Sequence, residues 1–343
     1  MTGAEPVSAT TASVTTASVS TVSVSTVSVI ICAYTEDRWA ILADGVDGAR
    51  KQLRDGDELI VVADHNERLR ARCARAFAGL PGVRVMANQQ RRGPSGARNT
   101  AMHTASGSVM VFLDDDAIPL DGWLDAMRAP YADPAVYGVG GVARPRWPGR
   151  PPRWFPDEFL WVVGCSHRGL PRTAQPVRNL LGATMSFRAT AFGLAGTFDE
   201  ALGRRPEKPL GGEETEFCIR LTRDHPGAVV RFDPAAQVEH VVSPDRVRLR
   251  YFVHRCWSEG TSKAEVTRRV GPGQALSTER QYTTRVLPRA VVRGLADGLR
   301  GDRWGPARAA AVVLGLAVTV AGYAAGTVGG GDARGRAARS RQR

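Results

Sequence analysis

An α/β fold on a mainly parallel, Rossmann-like sheet flanked by helices is what this 343-residue sequence predicts. Three observations predict it. Four short apolar runs rich in β-branched residues recur between Val27 and Asp116, helix-like stretches separate them, and polar residues close three of the runs. The first run, VSVIICAY (Val27 to Tyr34), has the form of a strand covered on both faces. A helix is expected from about Trp39 to Leu53, and ELIVVAD (Glu58 to Asp64) is the second strand. A further helical stretch leads to GVRVMAN (Gly82 to Asn88), a helix opens near Ser95, and SVMVFLDDD (Ser108 to Asp116) is the fourth strand. Sheets of this kind bind ligands beyond the carboxyl ends of their strands. Polar groups gather there: Tyr34-Thr35-Glu36-Asp37, Asp64-His65-Asn66 and Asp114-Asp115-Asp116.

The flanks differ from this core. Residues 1–25 repeat Thr, Ala, Ser and Val, with Glu5 the single charged side chain, and read as a disordered low-complexity tail rather than a signal peptide. The stretch from Arg144 to Pro176 is rich in Pro, Arg and Trp and reads as a long loop, whose Trp147, Trp154 and Trp161 either anchor it to the core or stack on ligand rings. NLLGATMSFRATAF (Asn179 to Phe192) resumes ordered structure, and GGEETEFCIRL (Gly211 to Leu221) is a loop entering an amphipathic helix. Beyond Val247 the chain reads as helical and basic, and an uncharged apolar run from Ala309 to Val328 is about the minimum length for a membrane span. Its Gly322-x-x-x-Gly326 spacing permits close helix packing. A chain cut at about Ala307 is expected to leave the membrane fraction with its catalytic part still folded.

Charge says less than it first suggests. The net charge is +12, but only Lys51, Lys208 and Lys263 are lysines, so the cations are nearly all arginine in an Ala- and Gly-rich chain. No nucleic-acid partner is expected, because three aspartates at a crevice repel phosphodiesters unless a metal intervenes. The five cysteines are odd in number and without a CxxC pair, which indicates neither a disulfide framework nor a zinc site and suits a reducing compartment.

The triple aspartate is the sharpest chemical feature. Three carboxylates at the end of a buried strand repel one another, and a divalent cation is the economical partner; the alternative is a solvated acidic turn. Residues two apart on a strand share a face, so Asp114 and Asp116 are placed to grip one hard ion while Asp115 points elsewhere. Asp64 stands where a base or ribose could be read by hydrogen bonding, or where a carboxylate caps the next helix. RRGPSGARN (Arg91 to Asn99) sets a Gly-rich turn before a helix start, offering N–H groups and Arg92 or Arg98 to a diphosphate, although the GKS/GKT ending of a P-loop is missing.

Taken together, VSVIICAYTEDR, ELIVVADHN, RRGPSGARN, VFLDDDAIPLDGWL, GATMSFR and GGEETEFCIRL, in this order, resemble the family 2 glycosyltransferases of the GT-A fold over roughly residues 26–265. The resemblance implies a nucleoside pocket lined by Ala33, Tyr34 and Glu36, with Asp64 reading the base, commonly uracil. It implies that Asp114-x-Asp116 is the DxD motif, Asp114 near ribose and metal, Asp115 among the nucleotide-sugar contacts, and Asp116 a ligand of Mg²⁺ or Mn²⁺. Arg98 matches the arginine of the family's SxARN helix start, and His240 falls where some relatives carry a histidine near the metal. Glu213-Glu214 stands where the family has Glu-Asp, the second carboxylate being the general base; here Glu214 is one methylene longer than that aspartate.

The resemblance divides the chain into a nucleotide-sugar-binding half (26–142), an acceptor-binding half with the long loop (143–245), a helical extension (246–306), an apolar helix at 307–330 and a basic tail at 331–343. It implies an inverting, metal-dependent transfer from a nucleotide-sugar donor, UDP-sugar favoured, to a glycan, lipid-linked or small-molecule acceptor, in cell-envelope polysaccharide assembly. The expected location is the cytoplasm, at the inner face of the plasma membrane through the C-terminal helix. A sugar-phosphate nucleotidyltransferase is the nearest rival, but its Gly-rich loop would follow the first strand, where AYTEDR stands. A catalytically silent nucleotide-sugar-binding protein is the other.

Overall fold

The computed structural model describes residues 25–203, 211–271, 273 and 277–340. Apart from Ser25, the tail expected at 1–25 lies outside the described residues. The four apolar runs fold into parallel strands β1 (Val27–Ala33), β2 (Glu58–Ala63), β3 (Val83–Ala87) and β4 (Val109–Asp114). Helices α1 (Trp39–Arg50), α2 (Glu67–Phe77) and α3 (Pro94–Met102) connect them. The second half contributes β5 (Ala117–Pro119), α4 (Trp123–Arg128), β6 (Val136–Arg146), β7 (Gln175–Pro176), β8 (Thr184–Arg188), α5 (Ala189–Ala195), α6 (Glu213–Asp224) and β9 (Val229–Val241). The sheet order is β3-β2-β1-β4-β8-β6-β9-β5, with β7 also paired to β9. The parallel half thus continues into a mixed half, in which β8 runs antiparallel to both β4 and β6 and β5 runs antiparallel to β9.

Residue alternation on β1 explains its unbroken apolar run. Val29 and Ile31 join one core layer with Leu59, Val61, Trp123 and Met127, while Ile30 joins the opposite layer with Ile60, Phe112, Phe187 and Phe217. The fourth strand is shorter than expected. It ends at Asp114, and Asp115 and Asp116 form the turn into β5.

The stretch expected to be a long loop is built more tightly than its composition suggests. β6 runs through to Arg146, and Asp157–Val163 forms a 3-10 helix. Its tryptophans face inward: Trp154 lies edge-on to Phe252 at 5.6 Å between ring centres, Trp147 meets Phe155 at 5.7 Å and Trp161 meets Phe159 at 5.4 Å. Anchoring is therefore their role in this fold.

The C-terminal region is helical as expected: α7 (Leu249–Val270), α8 (Ser277–Gln281), a π-turn at Tyr282–Val286, α9 (Leu287–Leu299) and α10 (Gly305–Ser340). The α10 backbone continues through 331–340, where a separate tail was expected. α10 packs along α7 at backbone distance. A Cβ on Gly260 would lie 2.1 Å from the Thr319 carbonyl oxygen, and one on Gly322 would lie 2.4 Å from that of Trp257. This corrects the expectation that the chain can be cut at Ala307 without harm. Val312, Ala309 and Ala311 of α10 are buried, and Val312 belongs to the same cluster as Phe159 and Phe252, so the cut would expose a core.

Candidate active site

The crevice lies where β1, β2 and β4 end, and backbone pairing explains how distant residues arrive there. β5 pairs with β9 so that Ala117 lies opposite His240, and the Val241 N–H donates to the Asp116 carbonyl at 2.8 Å. His240 Nε2 consequently sits 3.0 Å from Asp116 Oδ1. Asp114, Asp116 and His240 each present a ligand atom, all within 4.8 Å of one another. The two aspartates converge because of the turn after β4, not because of the strand pleat.

Asp115, in the turn rather than on the strand, meets the Arg38 guanidinium at 2.5 Å, and the same nitrogen reaches Asp116 at 3.0 Å. Burial raises its carboxyl to about 6 against the opposing pull of Arg38. Burial also works against a charged Asp116, yet His240, Arg38 at 3.0 Å and Arg246 at 3.3 Å hold that carboxyl well below the usual range. For His240 burial disfavours the cation, but the Asp116 carboxylate outweighs it and lifts the imidazole to about 10. This pair is one coupled unit, and the direction follows from a carboxylate facing an imidazole in a dry site. The opposite nitrogen, Nδ1, is buried beside the Cys165 thiol without a hydrogen bond of normal geometry.

Two carboxylates and one imidazole suit a hard or borderline divalent ion such as Mg²⁺ or Mn²⁺. The 3.0 Å separation of Asp116 Oδ1 and His240 Nε2 is that of neighbouring ligands on one octahedral ion at about 2.1 Å. The donor set therefore fits such an ion, with Asp114, Asp116 and His240 as its holders.

The expected nucleoside contacts surround this cluster. Ala33 is buried and accepts from the Asp64 N–H at 2.7 Å; Tyr34 is exposed under Arg38, and Glu36 faces Arg72 at 3.9 Å. Asp64 is not the cap of the next helix. Asn66 caps α2, accepting from the Leu69 N–H at 3.0 Å, while Asp64 accepts from Asn88 Nδ2 at 2.6 Å and the Gly93 N–H at 2.9 Å. Asp64 thus fastens the Gly-rich turn to the end of β2.

Arg98 joins the two halves. Its buried guanidinium donates to Glu213 at 2.9 Å and reaches Asp114 at 3.3 Å. Adjacent helical residues point about 100° apart, so the first turn of α6 sends Glu213 to Arg98 and Glu214 toward Gly182. A Cβ on Gly182 would lie 3.9 Å from the Glu214 carboxyl carbon and 3.5 Å from Arg98. Asp114, Glu213 and Glu214 therefore gather around one guanidinium.

Sequence reasoning missed three residues here. Arg38 follows the first strand closely, and the rule that crevices gather beyond strand ends could have found it. Arg246 carries no local signal. Gly164, at φ +87°, sits so close to the His240 ring that a Cβ there would lie 2.9 Å from Cε1 and Nε2.

The mixed sheet with an Asp-Asp-His cluster at its carboxyl crevice matches the architecture of the GT-A glycosyltransferases. The chain belongs to glycosyltransferase family 2. Residues 28–193 match the family described as Glycosyl transferase family 2. The glucosyl-dolichyl phosphate glucuronosyltransferase of Haloferax volcanii is 32% identical over 236 residues, covering 68% of this chain and 75% of the relative. The pre-mycofactocin glycosyltransferase of Mycobacterium tuberculosis is 27% identical over 183 residues, 53% of this chain and 36% of that protein. Among solved structures, the mannosyltransferase PcManGT of Pyrobaculum calidifontis, with GDP-Man and Mn²⁺, superposes with a TM-score of 0.54 at 19% identity, covering 86% of this chain and 87% of that one. GalNAc-T7 with UDP, GalNAc and Mn²⁺ gives 0.54 at 16% identity, covering 77% of this chain and 58% of that one.

Proposed function

We propose that this glycosyltransferase moves a sugar, with inversion, from a nucleoside-diphosphate donor to a hydroxyl of a lipid-linked acceptor, assisted by a divalent metal. The observation that carries the reading is the juxtaposition of Asp114, Asp116 and His240 with Glu214 across the buried Arg98. A divalent ion, when bound, offsets charge on the departing diphosphate. In the transfer, the acceptor oxygen forms the new bond to the anomeric carbon as the bond to the diphosphate oxygen breaks. Glu214 takes the acceptor proton. Glu213 and Asp114 fix the Arg98 guanidinium between donor and acceptor sides, and Arg38 bridges the Asp115 and Asp116 carboxylates. Asp64 stands at the base end of the pocket, and a UDP-sugar is the donor we favour.

Two observations support a lipid-linked acceptor at a membrane surface: the glucosyl-dolichyl phosphate named in the activity of the Haloferax relative, and the exposed apolar face of the C-terminal helices. α10 is apolar enough to cross a membrane over Gly305–Val328, with mean hydropathy 1.9. It nonetheless packs along α7, which carries Arg255, Glu259, Lys263, Glu265 and Arg268. Burying those charges in lipid is costly, so α10 is read as lying at the interface with Val313, Leu314 and Val320 outward. The test is diphosphate release from a panel of UDP- and GDP-sugars with Mn²⁺, with and without polyprenyl-phosphate sugars. Release that needs Mn²⁺, prefers a UDP-sugar and rises with the lipid acceptor is expected. Full activity in excess EDTA would overturn the metal's role, and a GDP preference would overturn the reading of Asp64.

A further inference from the structure

Between α7 and α10 runs an open groove of about 690 Å³, lined by Leu249, Arg250, Val253, His254, Trp257 and Val318, with Ala321 completing the wall. That size lies within the roughly 300–1,000 Å³ of small-molecule clefts. Arg250, Val253, His254 and Trp257 follow one another at i, i+3, i+4 and i+7, which sets a single stripe of α7 along the groove. Its walls are almost wholly carbon, and the helix backbone that backs them is hydrogen-bonded within itself. A sugar or an extended peptide would leave polar groups unpaired there, whereas a hydrocarbon chain would not. Leu249 and Trp257 are exposed although both are large and apolar.

The groove has polarity along its length. At the start of α7, Arg246, Arg248 and Arg250 stand in a stretch with one acid, Asp245. Arg246 itself reaches Asp116 of the ligand cluster at 3.3 Å. Arg246 and Leu249 are three positions apart, so their Cα atoms lie at most about 11 Å apart. An apolar chain in the groove therefore meets Arg250 at its wall, close in sequence to Arg246 and Arg248; Arg248 and Arg250 share the single Asp245, at 3.4 and 3.9 Å, so an anionic headgroup matches this arginine-rich end by charge.

We infer that this groove binds the hydrocarbon chain of a lipid phosphate, with the phosphate at Arg250 and the arginines before it. Calling this lipid the acceptor rests on the proposed function; the binding itself does not. The test uses the full-length protein and farnesyl phosphate, a short isoprenyl phosphate, with Trp257 emission as the readout and Trp257→Phe to assign it. Farnesyl phosphate should quench or shift that emission. Ala321→Phe, which fills the groove, and Leu249→Ser, a milder change at an exposed position, should each weaken binding, by about 10- to 100-fold for the first. Val313→Ser, on the exposed part of α10 outside the groove, should leave it unchanged. Arg250→Glu should weaken farnesyl phosphate but not farnesol, and inorganic phosphate alone should leave the emission unmoved.

Equal binding by wild type, Ala321→Phe and Leu249→Ser overturns the inference. So does uptake onto phosphatidylglycerol vesicles without binding of farnesyl phosphate, which would make the face a general membrane contact. A dimer that Ala321→Phe abolishes and farnesyl phosphate cannot displace would assign the groove to a second copy and also overturn it. Transfer distinguishes the two readings. Sugar transfer to a polyprenyl-phosphate acceptor with the same KM in Ala321→Phe removes the groove and keeps the function. Binding as expected without transfer to any lipid-linked acceptor keeps the groove and removes that acceptor.

Discussion

At the scale of single residues, the site separates two neighbouring glutamates by what each one touches. Glu213 is buried against Arg98, and removing one partner of a buried ion pair leaves a charge uncompensated. Glu213→Gln is expected to destabilise the fold by about 3 kcal/mol, read as a lower Tm, and to affect acceptor affinity or stability more than the chemical step. Glu214→Gln should keep donor affinity while transfer drops by roughly 100-fold or more, the scale of losing a general base. Near-normal transfer by Glu214→Gln together with loss in Glu213→Gln would move the base by one residue. Gly164 is the second residue-scale test. Its positive φ and the 2.9 Å approach to His240 leave no room for a methyl group, so Gly164→Ala should push the imidazole aside. Mn²⁺ affinity, measured by titration calorimetry, should weaken by about 10- to 100-fold, and unchanged affinity would remove His240 from the ligand set.

At the scale of elements, the strands carry their own fastenings at the end opposite the crevice. Glu58 opens β2, accepts from the Ser28 hydroxyl at 2.7 Å and the Ser106 N–H at 2.6 Å, and pairs with Arg84 at 2.5 Å. One carboxylate thus ties β1, β2, β3 and the turn before β4. Burial opposes its charge, but the Ser106 N–H, the two serine hydroxyls and Arg84 outweigh it and lower the carboxyl to about 2. A carboxyl lowered on folding contributes stability that is present above its unfolded value near 4.5 and is lost as pH falls toward 2. Glu58→Gln should therefore be less stable than wild type in urea melts at neutral pH, and the gap should close between pH 4.5 and 2. A gap independent of pH would mean that packing, not charge, holds the latch. The α2 cap shows how local sequence can mislead at this scale: Asp64 and Asn66 both suit the start of a helix, and only the placement of the Gly93 loop assigns Asp64 to another partner.

For the whole molecule, the helical extension is part of the fold rather than an attachment. α10 covers Phe159 and Phe252 and approaches α7 through glycines that admit no side chain. Deleting residues from Gly305 onward should lower the Tm and increase binding of a hydrophobic dye, because a core cluster loses its cover. Gly260→Val should have a smaller effect of the same sign, about 3 kcal/mol, by forcing the two helices apart. A truncated protein with an unchanged Tm would show that α10 is only an anchor.

Much of this protein is determined by its sequence alone. β-branched apolar runs need cover on both faces, which a helix-flanked parallel sheet supplies, and the polar close of three of the four runs marks the crevice. The order of the motifs further indicated Asp114, Asp116, His240 and the glutamate pair as site residues. What the tertiary structure alone decided are contacts between residues far apart in the chain. Arg38 meets Asp115 across 77 positions, Arg246 arrives through the turn after β9, and Gly164 makes room for His240. Periodicity reports which face of an element is buried, but not which other element buries it. The packing of the C-terminal apolar run along α7 is likewise a tertiary fact, because an uncharged helix reads alike in sequence whether lipid or a charged helix lies beside it.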